Sequence, residues 1–321
     1  MRYVEAAGVR LSRIGIGTWQ FGSAEWGYGS EYSDRTASQI IERGVELGVN
    51  LIDTAELYGF GKSERILAPV LEEHRDSAFI ATKVTPVVPF APWVRSRGRA
   101  SAKRLGVDRI DLYQVHAPNP TLPIGHIMGG MVDLVSDGVV THLGVSNYNL
   151  AQWKLSEQAA GIPVISNQVR LNLVDRGPLK ALVPYARAYD RIVIAYSPLA
   201  QGLLSGNYNS ARLPKDRMRR ANPLFLPDNL EAAKPLLDTL ARVAQRYGAT
   251  SAQIALAWVI SHDHVVAIPG ASSIAQLEHN VAAADLVLSA DDLAELSTSA
   301  VEFTPNTGLG TLPRRALSAL R

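Results

Sequence analysis

Residues 49–53 read Val-Asn-Leu-Ile-Asp, a short apolar run ending on a carboxylate. It follows a segment in which Ala37, Ile40, Ile41 and Val45 share one helical face between the capping candidate Ser33 and a closing Gly48. A run this short, flanked by turn signals, reads as a buried strand and the segment before it as an amphipathic helix. The same kind of run recurs along the chain: IGIG from Ile14, FIATK from Phe79, IDLYQVH from Ile110, HLGVSN from His142, VISNQ from Val164, IVIAYS from Ile192 and VVAIP from Val265. Taken with Val49, the start-to-start gaps are 35, 30, 31, 32, 22, 28 and 73 residues. Segments of helical spacing fill the intervals at 63–73, 92–105, 123–137, 149–160, 177–188, 251–261 and 273–284.

Strand then helix, eight times, is the pattern of parallel βαβ units, and eight such units closing on themselves form a (β/α)₈ TIM barrel of about 250 residues. The remaining residues have definite places. Residues 1–12, with Gly8 at the turn, read as an N-terminal β-hairpin over the barrel floor. The long gap before the eighth strand holds a polar loop, 200–228, and an extra helix, 229–246, and a further helix covers 290–299. No stretch rich in Pro, Gly or Ser divides the chain, so one domain over 1–321 is expected. The rival architecture, an open doubly wound sheet, would carry G-x-G-x-x-G after its first strand. Gly15-Ile16-Gly17-Thr18-Trp19-Gln20 has Gln in the third glycine's place and an aromatic where a helix should begin.

The composition narrows the function classes. Of 321 residues, 47% are hydrophobic and 19% charged, which suits a globular protein. A net charge of +2 creates no field to recruit nucleic acid or an anionic membrane. With no cysteine there is no disulfide, thiolate nucleophile or Cys-based metal site. No apolar run reaches the length of a membrane span, and the first residues, Met-Arg-Tyr-Val-Glu-Ala, lack the apolar core of a signal peptide. A cytoplasmic enzyme acting on a small molecule is expected, with no nucleic acid, membrane or metal partner.

In such a barrel the chemistry sits where the strands end, because all eight C-terminal ends meet at one mouth. The second barrel strand ends in Asp53, with Tyr58 in its loop; the third ends in Lys83 and the fourth in His116. The fifth ends in Ser146-Asn147, the sixth in Asn167-Gln168 and the seventh in Tyr196-Ser197-Pro198. Singly, each is an ordinary turn, cap or packing residue. Together, an acid, a phenol, an ammonium and an imidazole on consecutive strand ends are a set for proton donation to a carbonyl oxygen. A free phenol has a pKa of about 10. An ammonium about 4 Å away favours the phenolate by up to about 4 kcal/mol at an effective dielectric of 20, so a lowered phenol is expected at Tyr58. Asp53 would hold Lys83 in place, and His116 would donate to the substrate oxygen. A Schiff-base lysine, the other enzyme chemistry open to Lys83, would leave Asp53, Tyr58 and the Asn147/Gln168 pair without a purpose.

Asp53, Tyr58, Lys83 and His116 stand with Gly17-Thr18-Trp19, the run Ile110–His116, Gly144-Val145-Ser146-Asn147, Ile268-Pro269-Gly270 and Asn280. On these motifs nearly the whole chain resembles the aldo-keto reductase superfamily. The resemblance implies a (β/α)₈ barrel that binds a nicotinamide cofactor across its mouth, NADPH with NADH possible. It also implies NAD(P)H-dependent reduction of aldehydes or ketones to alcohols. Tyr58 would be the general acid, Lys83 and Asp53 its tuners, and His116 the group orienting the carbonyl. Ser146, Asn147 and Gln168 would hold the carboxamide and Tyr196 would stack on the ring. Ser197, Pro198, Leu199, Gln201 and Gly202, within a segment running to Leu204, would cover the pyrophosphate, and Gly17, Thr18 and Trp19 would border the cofactor. Some relatives are channel β subunits that keep barrel and cofactor but serve a partner, and a cofactor-binding regulatory subunit is the alternative.

The chain departs from its relatives around the 2′-phosphate. Gly270 and Gln276 fall where many members have Lys and Arg, Ser272 where another branch has Arg, and Asn207 where Lys is common. Ser272, Ser273 and the start of the helix leading to Asn280 remain for that phosphate. Arg212, Lys215, Arg217, Arg219 and Arg220 in the loop after the seventh strand are a candidate substitute. Two other signals read as structural. His262-Asp263-His264 precedes the eighth strand, at the end away from the mouth. Arg95, Arg97, Arg99, Lys103 and Arg104 read as a solvated helix face. Trp19, Phe21, Trp26, Tyr28 and Tyr32 in the first loop, with Trp93 in the third, read either as packing under a long loop or as the apolar wall of a substrate pocket, and Trp19 is the one that favours the pocket.

Overall fold

A computed structural model describes residues 1–23, 28–29, 33–88 and 90–308. The chain opens with an antiparallel hairpin, β1 (Tyr3–Ala6) and β2 (Val9–Ser12), paired from Tyr3↔Ser12 to Ala6↔Val9. Its two-residue turn, Ala7-Gly8, has φ of 53° and 73°, the left-handed pair that matches the twist of a tight hairpin. Eight parallel strands follow: β3 (Ile16–Gly17), β4 (Leu51–Asp53), β5 (Phe79–Val84), β6 (Ile110–Val115), β7 (Val140–Ser146), β8 (Val164–Arg170), β9 (Ile192–Tyr196) and β10 (Val265–Ala267). They lie in sequential order, and the parallel bridges Ile14↔Ala267 and Gly17↔Gly270 join the last strand to the first. The result is the expected (β/α)₈ barrel.

Two apolar cores follow from the alternation of side chains along the strands. Inside the barrel, Leu51, Ala81, Leu112, Ile165, Ile192, Ile194 and Val266 pack with Val4, Ala6 and Leu11, so the hairpin plugs the floor. Outside, a larger core lies between the strands and the helices α1 (Asp34–Glu46), α2 (Lys62–His74), α3 (Ala91–Leu105), α4 (Ile124–Ser136), α5 (Leu150–Ala160), α6 (Leu182–Ala188), α7 (Arg217–Ala221), α8 (Pro227–Arg246), α9 (Ser251–Ile260), α10 (Ile274–Ala282) and α11 (Ala290–Glu302), of which the short α7 adds no buried residue. On α1 the buried face is Ala37, Ile40, Ile41 and Gly44. A Cβ at Gly44 would meet the Ile16 side chain at 2.4 Å, so that glycine sets how closely α1 approaches β3.

Two expectations are corrected here. The segment 177–188 is not one helix: a 3₁₀ turn over Gly177–Lys180 precedes α6, with Ala181 out of helical geometry between them. Pro184 explains the break, because its ring would clash with the carbonyl four residues back, at Lys180. The basic run on α3 is a solvated face only in part: Arg95, Arg99 and Lys103 are exposed, whereas Arg97 and Arg104 turn inward. Arg95 pairs with Asp133 (3.6 Å) and Arg99 with Asp137 (2.8 Å), while Arg97 and Arg104 reach the buried Glu56 (2.6 Å) and Glu64 (2.5 Å). Ser33 takes the N-cap position of α1 but makes no side-chain capping bond. No helix among the described residues is long and apolar enough to cross a membrane.

Candidate active site

The strand ends bring Asp53, Tyr58, Lys83 and His116 together. Asp53 closes β4, Lys83 lies one residue before the end of β5, and His116 follows β6. Tyr58 opens a tight 3₁₀ segment, Tyr58–Gly61, after β4. Fully buried, the Lys83 ammonium has three donors and three acceptors: Asp53 Oδ1 at 2.6 Å, the Thr54 carbonyl at 2.9 Å and the Tyr58 hydroxyl at 3.2 Å. The other carboxylate oxygen of Asp53 accepts from Gln168 Nε2 (2.7 Å) and Gln114 Nε2 (3.3 Å). Rings of Tyr58 and His116 meet edge to face at 5.8 Å.

Burial and charge compete at each group. Burial pushes Asp53 upward, against Lys83 and the two glutamine amides, which pull it down. Burial alone would discharge Lys83, but Asp53 and Tyr58 facing it hold its pKa above the ordinary lysine value. Burial raises the Tyr58 phenol by more than Lys83 lowers it, with Asp53 adding to the rise. This corrects the expectation of a lowered phenol: desolvation outweighs the ammonium, whose effect Asp53 partly offsets. Burial and the nearby Lys83 push His116 down to about 3, so its ring is neutral at physiological pH. Its Nδ1 is buried with no hydrogen-bond partner among the described residues.

Around this centre lie the other predicted residues. Asn147, in the left-handed region at φ 63°, donates from Nδ2 to the His116 carbonyl and to Ser146 Oγ, both at 3.1 Å. Its Oδ1 accepts from the Tyr196 hydroxyl at 2.9 Å, and Ser146 Oγ donates to the Gln168 carbonyl at 2.9 Å. Ser146, Asn147, Gln168 and Tyr196 are therefore one connected cluster bordering Asp53. Thr18 is fully buried, its hydroxyl bonded to the Asp53 carbonyl (2.9 Å) and to Ser63 (2.7 Å), and Gly17 donates its N–H to the Pro269 carbonyl. A Cβ on Gly17 would strike the Ile268 carbonyl oxygen at 2.7 Å, so only glycine closes the barrel seam there.

After β9 the backbone turns left-handed at Ser197 (φ 47°), Ala200 (49°), Gln201 (56°) and Gly202 (96°), flanking Pro198 and Leu199. Left-handed φ costs a non-glycine residue roughly 1–2 kcal/mol, and such turns point N–H groups into a concavity suited to an anion. The Asn172 amide donates to the Ser197 carbonyl (2.9 Å) and the Arg219 guanidinium to the Gln201 carbonyl (2.7 Å), holding this turn. Arg219 also pairs with Asp216 at 2.7 Å, whereas Arg217 is exposed. Beside it, Gln276 accepts the Ser272 N–H (2.9 Å) and donates its own N–H to Ser273 Oγ (3.2 Å), and Asn280 donates to the Gly270 carbonyl (3.2 Å).

Gln114 and Glu56 were missed as site residues. Gln114 was legible as the residue two before His116 on the same strand, hence on the same face; Glu56 had no signal beyond lying between Asp53 and Tyr58. The aromatics of the first loop divide: Phe21 is buried, Tyr28 lies under the Lys62 ammonium at 4.5 Å, and Trp19 is 42% exposed, as is Trp93 on the first turn of α3. Trp26 and Tyr32 lie outside the described residues. At the barrel floor, a ring nitrogen of His264 contacts the Arg191 carbonyl (2.8 Å) and His262 packs edge-on against Trp258. No group of three or more acidic or histidine side chains among the described residues is arranged to hold a metal.

Residues 13–300 match the model of the aldo/keto reductase family. An uncharacterized oxidoreductase of Mycobacterium tuberculosis is 52% identical over 306 residues, covering 95% of this chain and 94% of that one. The glycerol dehydrogenase of Gluconobacter oxydans superposes with a TM-score of 0.85 at 30% identity, over 95% of this chain and 97% of that one. An aldo/keto reductase from Klebsiella pneumoniae, solved with NADP and acetate, gives 0.73 at 27% identity over 95% and 96%.

Proposed function

The chain belongs to the aldo/keto reductase family, and on that premise we propose that this single barrel domain, 1–321, is an NAD(P)H-dependent carbonyl reductase with Tyr58 as its general acid. The observation that carries the reading is the Lys83 ammonium bonded at once to Asp53, the Thr54 carbonyl and the Tyr58 hydroxyl. Because Nζ donates to the phenol oxygen, the phenol's own proton is left to point at a substrate oxygen. Burial keeps that proton in place at neutral pH, as an acid requires. As negative charge grows on the carbonyl oxygen, that oxygen becomes more basic than the phenolate, and the proton moves to it. Lys83 then stabilises the phenolate it faces. Neutral His116, edge-on to Tyr58, donates from Nε2–H to the same oxygen and fixes its direction.

The residues fit a nicotinamide cofactor, as in the Klebsiella relative solved with NADP. The left-handed backbone from Ser197 to Gly202, closed on itself by the Ala200 and Gly202 N–H groups donating to the Ser197 and Leu199 carbonyls, would form the segment covering a pyrophosphate. The Gln168 amide, with one N–H donated to Asp53, keeps its oxygen and second N–H for a carboxamide, and the Asn147 oxygen, which accepts from Tyr196, keeps a second lone pair, beside the flat ring of Tyr196. When bound, the nicotinamide supplies the hydride that the carbonyl carbon receives. NADPH is the proposed cofactor, with NADH accepted. The test is Tyr58→Phe, which keeps the ring and removes the proton: NADPH oxidation with an aldehyde panel falls while cofactor affinity stays.

A further inference from the structure

Two carboxylates outside the proton-donating group straddle Tyr58 in the sequence, Glu56 and Glu64, and both are buried. Each crosses to the strand that carries Lys83. Glu56 Oε1 accepts the Thr85 N–H at 2.8 Å, and its own N–H donates to the Lys83 carbonyl at 3.4 Å. Glu64 Oε1 accepts from the Thr82 hydroxyl at 2.7 Å. Thr82 and Thr85 lie on either side of Lys83. Each glutamate is then closed by an arginine of α3, Arg97 Nε to Glu56 Oε2 (2.6 Å) and Arg104 Nε to Glu64 Oε2 (2.5 Å). Arg97 and Arg104 are seven residues apart, two helical turns, and so share one face of α3. The two clamps thus bracket both partners of the Tyr58–Lys83 contact and tie them to one rigid helix.

We infer that Glu56–Arg97 and Glu64–Arg104 are a double clamp of positioning residues that fixes the Tyr58 loop against Lys83. The tight Tyr58–Gly61 segment needs such an anchor: its residues Gly59, Phe60 and Gly61 all have left-handed φ, 53°, 53° and 78°, and Phe60 is 89% exposed with little packing to hold it. A displacement of about 1 Å at a proton donor costs about 10²-fold in rate, so the clamp acts on turnover more than on binding. The inference rests on the proposed role of Tyr58, and its test includes a readout that does not.

The double variants Glu56→Gln/Arg97→Met and Glu64→Gln/Arg104→Met remove both charges of a pair, so no buried charge is left alone. Arg99→Met, which breaks an exposed pair on the same helix, is the control. Measured are kcat and KM for an aldehyde, the NADPH dissociation constant, and hydrogen exchange by mass spectrometry. Each double variant is expected to lose tenfold or more in kcat, with KM and NADPH affinity within threefold of wild type. Amides of 54–62 exchange at least tenfold faster while α8 and α11 exchange as before, and Arg99→Met matches wild type throughout. Wild-type kcat in folded double variants, or unchanged exchange at 54–62, overturns the clamp. Should a double variant not fold, Arg97→Lys and Arg104→Lys carry the test: a twofold or larger loss of kcat with faster local exchange supports it, and wild-type values in both overturn it. A wild type that reduces no carbonyl would refute the proposed function, while the exchange data would still decide the clamp.

Discussion

Replacing Lys83 by Met keeps much of the stem's volume and deletes the ammonium at the centre of the site. Asp53 then keeps only the Gln168 and Gln114 amides, at 2.7 and 3.3 Å, in a position 1% exposed. Breaking a buried pair from one side costs about 3–5 kcal/mol. The loss has a pH signature. Lys83 lowers the Asp53 pKa against burial; without it, the folded-state pKa rises well above the unfolded value of about 3.9. A carboxyl raised in the folded state binds more protons there, so stability falls as pH climbs through the window between the two values. The penalty relative to wild type is therefore small near pH 4 and full at neutral pH. Adding Asp53→Asn removes the stranded charge and should return most of the lost stability, leaving the deficit below about 2 kcal/mol. Urea unfolding of wild type, single and double variants at pH 4 and 7.5 measures all three quantities. A single variant as stable as wild type at pH 7.5, or one whose deficit is the same at both pH values, would refute the reasoning.

Three further outcomes follow from the geometry. Tyr58→Phe should lower kcat by about 10²–10⁴ with NADPH affinity within twofold of wild type by fluorescence titration; more than half of wild-type kcat in a chemistry-limited assay would remove Tyr58 from its role. Because His116 is held down to about 3, the rate profile should show no imidazole limb between pH 5 and 8; a limb near 6.5 that disappears in His116→Gln contradicts a neutral ring. Arg219 holds the Gln201 carbonyl and Asp216, so Arg219→Ala should raise KM for NADPH and NADH by the same factor, whereas Arg217→Ala should weaken NADPH alone; a loss confined to NADPH in Arg219→Ala would reassign that arginine to the 2′-phosphate.

Much of this molecule was legible in its sequence because parallel strands buried on both faces leave near-continuous apolar runs. All eight runs became strands, and the mouth followed from which polar residue ended each. What was not legible depends on contacts distant in sequence. Gln168 stood out as a strand-end amide, but that its nitrogen turns to Asp53, 115 residues away, needed the closed barrel. Arg97 and Arg104 were indistinguishable from their exposed neighbours Arg95 and Arg99, because helix spacing does not disclose the buried Glu56 in a loop and Glu64 on α2. The sign of the Tyr58 shift was misjudged for a related reason: Coulomb attraction can be estimated from one pair, but desolvation depends on everything packed around it.

In the proposed reaction Tyr58 hands its proton to a carbonyl oxygen while the adjacent carbon takes a hydride from the nicotinamide. Single-turnover reactions with NADPH deuterated at C4 on the transferable side, followed by mass spectrometry of the product alcohol, read the hydride transfer and its dependence on Tyr58. One deuterium is expected on the carbinol carbon per cofactor oxidised, at a rate reduced at least a hundredfold in Tyr58→Phe. Tight NADPH binding with no deuterium transferred to any member of a broad aldehyde and ketone panel would rule the reaction out.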